Sequence, residues 1–123
     1  MNKTRIEWCD YTINPVKGLC PMACPYCYAR RMYLNPYYKA MYRNPEIRYD
    51  PAAWLGLGSL RKPSRIFVGS TIELFGDWVK PEWMHWIMEV PTECPQHTFI
   101  FLTKCPEGLS HWSPFPKNCW VGF

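Results

Sequence analysis

Three of the seven cysteines lie within eight residues of one another, as Cys20-Pro-Met-Ala-Cys24-Pro-Tyr-Cys27. Thiolates are soft ligands, and three of them arriving from one loop can cap one face of a metal centre. An iron–sulfur cluster is normally held by four cysteines, so a trio leaves one iron open to a further ligand. Pro25 at a helix start would also place backbone N–H groups near the thiolates and favour their negative charge. Two other readings remain for the trio. One is zinc, although zinc sites usually draw on paired C-x2-C units and would here need Cys9 or His85 as a fourth ligand. The other is a chance grouping of free thiols.

The compartment bears on this choice. The first residues, Met1-Asn-Lys-Thr-Arg-Ile-Glu-Trp8, hold no apolar core of a secretory signal. No stretch approaches the roughly 20 apolar residues of a membrane span. A cytoplasmic chain with no membrane association is expected. Thiols stay reduced there, so clustered cysteines point to metal rather than to disulfides.

The trio must be positioned by the elements around it. Residues 10–14 contain β-formers and predict a short strand stopped by Pro15, with a loop from Val16 to Pro25. Helices are predicted over 26–34 and 37–42, and mostly loop over 44–64. Arg65–Gly69 and Thr98–Thr103 read as buried strands, and Cys119–Phe123 as the start of another. Pro81–Val90 reads as a helix with Pro81 at its first position and an apolar face of Trp83, Trp86, Ile87 and Val90. Strands alternating with helices indicate a parallel α/β sheet in one domain spanning residues 1–123. Ligands of such sheets sit at the carboxyl ends of the strands. The cysteine loop, Gly69-Ser70-Thr71 and Thr103-Lys104 are thereby placed on one rim.

Composition narrows the class without naming it. Hydrophobic residues make up 48% and charged residues 20%, enough to bury a core. A net charge of +4 is too mild to indicate nucleic acid by itself. Arg30, Arg31, Lys39, Arg43 and Arg48 are nevertheless interleaved with Tyr33, Tyr37, Tyr38 and Tyr42 against the single acid Glu46. That is the make-up of a nucleic-acid surface, and equally of a solvated helix face over packed tyrosines.

The C-x3-C-x2-C loop with Tyr26 before its last cysteine resembles the signature of the radical S-adenosylmethionine (SAM) superfamily. Ile6-Glu7-Trp8, Asn14-Pro15, Tyr28-Ala29, Phe67-Val68-Gly69-Ser70 and Phe101-Leu102-Thr103-Lys104 resemble a phage- and bacterium-encoded branch of it with no established function. The resemblance spans essentially the whole chain and implies a parallel-sheet partial (β/α) barrel, cut after about four strands. It implies a [4Fe–4S] cluster on Cys20, Cys24 and Cys27 whose open iron chelates SAM. An electron donor would reduce the cluster, and SAM would be cleaved to methionine and a 5′-deoxyadenosyl radical. Tyr26 matches the aromatic near the adenine. Gly69, Ser70 and Thr71 occupy the place of the glycine-rich segment at the SAM amino group, without its usual Gly-Gly-Glu, and Glu73 follows close by. Cys9 stands where related sequences carry Thr and reads as a small core residue.

Other residues divide between function and packing. Lys104 is either a cation for an anionic ligand or a surface lysine. His85 reads as a structural histidine, and Glu73 and Asp77 as loop carboxylates. The sheet is expected to end on a bare strand, to be covered by a partner chain or by further βα units. The enzyme reading has two rivals: a structural cluster or zinc module with a basic-aromatic nucleic-acid surface, and an inactive fragment of the enzyme.

Overall fold

A computed structural model describes residues 1–18 and 46–122 of the chain. Cys20, Cys24, Cys27, Tyr26, the two helices predicted over 26–34 and 37–42, and the basic-aromatic set from Arg30 to Arg43 lie outside the described residues.

The main sheet has five strands: β1 (Asn2–Lys3), β2 (Tyr11–Ile13), β5 (Arg65–Val68), β6 (Thr98–Leu102) and β7 (Cys119–Gly122), neighbouring in that order. The last four are mutually parallel, and β1 runs antiparallel to β2. Four parallel strands thus follow one another across the sheet in chain order, in a mixed α/β fold. The expected strands are all present. The two-residue β1 was not anticipated, and neither was a separate antiparallel ribbon of β3 (Val16–Lys17) and β4 (Arg48–Tyr49). The 44–64 region, predicted as mostly loop, contributes β4 and two short 3₁₀ turns, Pro51–Trp54 and Leu57–Ser59.

Side chains alternate across the strands, so each strand serves two faces. Ile13, Ile66, Val68, Phe99 and Phe101 belong to one buried cluster with Met84 and Ile87. Each such side chain contributes about 1.5–3 kcal/mol by leaving water. Phe67 and Ile100 alternate with these residues and join Cys9 and Ile6 in a second, smaller cluster. Cys9 is therefore a core residue. Leu102 and Trp120, which have the same parity as Ile100 in the β6–β7 register, are 47% and 63% exposed.

Helix α1 (Pro81–Glu93) begins at a proline, whose missing N–H costs nothing in the first turn, and carries Glu82 near its positive end. Of the predicted face, Ile87 is buried and Trp83 and Val90 are partly buried against the core, while Met84 and Pro91 complete the buried stripe. Trp86 departs from it: it is 45% exposed and lies against Tyr49 of β4, with ring centroids 5.1 Å apart; Trp83 lies 6.4 Å from the same ring. The helix also runs past Pro91 to Glu93, and the Cys94 N–H closes its end onto the carbonyls of Val90 and Pro91. Among the described residues no helix is long and apolar enough to cross a membrane.

Candidate functional site at the carboxyl rim

The rim is formed where β2, β5 and β6 end. Asn14 follows β2, and its Oδ1 accepts hydrogen bonds from the Ser70 hydroxyl at 3.0 Å, the Thr71 N–H at 3.1 Å and the Thr71 hydroxyl at 3.2 Å. A backbone N–H can only donate, so Thr71 fixes which way the Asn14 amide points. Gly69 precedes this contact at φ +81°, and a Cβ there would come within 2.6 Å of Leu74. Only glycine lets the chain turn from β5 into this contact. Its N–H continues the ladder to the Ile13 carbonyl at 2.9 Å.

Glu73 makes the next link. Its Oε1 accepts from the Thr103 hydroxyl at 2.6 Å and from the Lys104 N–H, and its Oε2 accepts from the Phe75 N–H at 3.0 Å. The Thr103 hydroxyl accepts in turn from the Cys105 N–H at 2.8 Å, and the indole N–H of Trp78 donates to the Glu73 carbonyl at 2.9 Å. Thr103 is 4% exposed, so this buried hydroxyl is satisfied as donor and acceptor. Asn14 thus joins β2 to the loop after β5, and Glu73 joins that loop to the end of β6.

The segment carrying Cys20, Cys24 and Cys27 leaves the rim through the β3–β4 ribbon. Pro15 alone separates Asn14 from β3, and the ribbon pairs Val16 with Tyr49 and Lys17 with Arg48. Lys17 donates to the Asn14 carbonyl at 3.1 Å and pairs with Asp50 at 3.4 Å. Gly18, at φ +130°, sits so close to Glu46 that a Cβ would meet its carbonyl oxygen at 2.6 Å. Residues 19–45 are therefore inserted between two backbone positions in contact. The base of this stem is held by Asp50 N–H to the Pro15 carbonyl at 2.7 Å and by the indole N–H of Trp54 to the Tyr49 hydroxyl at 2.9 Å.

The remaining predicted residues divide clearly. Gly69, Ser70, Thr71, Thr103 and Lys104 share the rim. Asp77 is exposed. His85 is exposed and rests edge-on against Trp112, 4.9 Å between centroids, so it is a surface residue with a ring contact. Burial raises the pKa of the Cys9 and Cys94 thiols, and pushes that of Cys119 up to about 11. In all three, burial favours the neutral thiol. Among the described residues no group of three His, Cys, Asp or Glu side chains is arranged to hold a metal ion. Sequence reasoning missed Asn14 as the acceptor that gathers the rim; a polar residue between a strand and Pro15 was the available signal.

A family model described as "Protein of unknown function (DUF5131)" matches residues 3–123. The chain belongs to the DUF5131 family. The match covers β1 to β7 and the cysteine segment alike, so the rim and its stem are parts of a DUF5131 domain. No curated protein and no solved structure is detectably similar to the chain.

Proposed function

We propose that this DUF5131 chain holds a [4Fe–4S] cluster on Cys20, Cys24 and Cys27 and acts as a radical SAM-type enzyme within a partial (β/α) barrel. The observation that carries the reading is the β3–β4 stem. It fixes both ends of the cysteine-bearing segment beside the carboxyl rim of a parallel sheet, where α/β folds bind ligands. Four parallel strands in chain order are compatible with one section of such a barrel.

The donor set fits the group: three thiolates from one segment suit an iron–sulfur cluster with one open iron. When bound and reduced, the cluster would supply the one electron that breaks the C5′–S bond of SAM, giving methionine and a 5′-deoxyadenosyl radical. The chain's own residues prepare the place. Asn14 holds Ser70 and Thr71 at the end of β5, the position we assign to the SAM amino group. Glu73 holds the Thr103–Lys104 turn, which brings a lysine to the same rim. Tyr26 is assigned to the adenine. Glu73 therefore acts on its neighbours' backbone rather than as the missing acid of a Gly-Gly-Glu segment.

Anaerobic reconstitution with iron and sulfide tests the reading. The expected product is a brown chain with about four irons, whose spectrum shifts on addition of SAM. Stoichiometric zinc with no chromophore would overturn it.

A further inference from the structure

A second concavity lies at the opposite, amino end of the parallel strands. It has a volume of about 450 Å³ and is lined by Lys3–Glu7 and Cys9–Tyr11 on one side and Lys62–Arg65 on the other. Four cations, Lys3, Arg5, Lys62 and Arg65, face two acids, Glu7 and Asp10. Asp10 is already engaged. Its carboxylate accepts from the Arg65 N–H at 2.8 Å and from the Arg65 guanidinium at 3.4 Å. Among the described residues, Lys3, Arg5 and Lys62 have no carboxylate partner.

Cations from two distant parts of the chain thus line one cleft with fewer acids than they need. A concave wall focuses their field and favours an anion that enters it. Trp8, next to the lining residues Glu7 and Cys9, is 42% exposed, and its ring is fixed 5.0 Å from that of Phe67. An accessible indole adjoining a cleft with unpaired cations matches the two needs of a nucleic-acid strand, a stacking surface for a base and positive charge for phosphates.

We propose that this cleft binds single-stranded nucleic acid, with Lys3, Arg5 and Lys62 on phosphates and Trp8 stacked on a base. The site is separate from the carboxyl rim, and its test does not depend on the cluster.

The experiment is fluorescence anisotropy of a labelled eight-nucleotide oligothymidylate with the full chain. Three phosphate contacts predict a slope of log K against log salt of about −2. Changing Lys62→Ala or Arg5→Ala should lower that slope by about 0.7 each. Trp8→Ala should weaken binding at least about fivefold, while Trp8→Phe, which keeps a ring, should largely restore it. Polyglutamate of equal charge should compete poorly. The proposal is overturned if the oligonucleotide does not bind at 50 mM salt, or if polyglutamate competes equally well. It is also overturned if binding persists unchanged in the Lys62→Ala/Arg5→Ala double variant, which would move the contact to another surface. Circular dichroism of each variant confirms folding, which these exposed lysine and arginine positions should not disturb.

Discussion

The two ends of the parallel strands are built from different chemistry. At the carboxyl end, a carboxamide, three hydroxyls and one carboxylate are cross-linked from strand end to strand end through Asn14 and Glu73. At the amino end, one ion pair, an excess of cations and a buried histidine meet. Asn118 closes that end. Its Nδ2 donates to the carbonyls of Pro91 at 2.9 Å, Cys94 at 3.1 Å and His97 at 2.9 Å, tying α1 and the approach to β6 to the start of β7. The difference bears on the end to which we assign chemistry in our proposal. A hydrogen-bonded rim holds loop positions fixed, as a reacting site requires. The other end carries a buried imidazole and responds to pH through it.

The largest expected effect separates the ends by cysteine. Cys20→Ala, Cys24→Ala or Cys27→Ala should abolish the iron–sulfur absorbance of the reconstituted chain. Cys94→Ala, at the amino end, should leave it intact. Equal loss from both classes would break the assignment of metal chemistry to the segment at the carboxyl rim.

Asn118→Ala should cost about 2–3 kcal/mol, because it removes the two N–H donors shared among three carbonyls, of which those of Pro91 and Cys94 keep a backbone donor; the urea midpoint reads this. Glu73→Gln comes next, at about 1–3 kcal/mol. The amide keeps one acceptor oxygen, and its NH₂ opposes whichever of the Phe75 N–H or the Thr103 and Lys104 donors it faces. In the reconstituted chain it should weaken SAM binding as well, whereas Asn118→Ala should change stability with little effect on SAM. A reversal of that pattern would show that the rim is not the ligand end.

The smallest effect is in pH. His97 is 1% exposed, its Nδ1 accepts from the Ser64 N–H at 3.1 Å, and burial lowers its pKa. The proton of the neutral ring therefore sits on Nε2, which has no partner among the described residues. The unfolded chain takes up a proton more readily than the folded one. The His97 contribution is complete above the ordinary histidine value of about 6.5 and declines as pH falls below it. Asp10, whose pKa is lowered mainly by the Arg65 N–H, loses its contribution only at more acid pH, below the ordinary carboxylate range. Urea midpoints should fall between pH 7 and pH 5, and His97→Gln should flatten that fall.

Much of this was legible in the sequence, for physical reasons that also mark where it stopped. Arg65–Val68 and Thr98–Leu102 are apolar on both faces, and only a covered parallel strand accommodates that. Gly69 announced the turn at the rim. The β3–β4 ribbon was illegible, because two residues per strand carry no periodicity and its pairing joins positions more than thirty residues apart. On α1 only Trp86 was misplaced and Met84 overlooked, because the Trp86 indole is large and apolar while it lies against Tyr49, a partner distant in sequence. Glu73 could be placed near the rim but not oriented, since its three donors come from Phe75, Thr103 and Lys104.

The chain-order sequence of the parallel strands has a kinetic consequence. Pairing β6 with β7 closes only the stretch from Leu102 to Cys119, and pairing β5 with β6 the stretch from Val68 to Thr98. Pairing β2 with β5 must close everything from Ile13 to Arg65. Each doubling of a closed loop adds about 0.6 kcal/mol of entropy cost, and local contacts form sooner. The sheet should therefore nucleate at β5, α1, β6 and β7 and recruit β2 last. The β3–β4 stem would then close onto an assembled sheet, so the two ends that bracket residues 19–45 come together only after the sheet beside them exists.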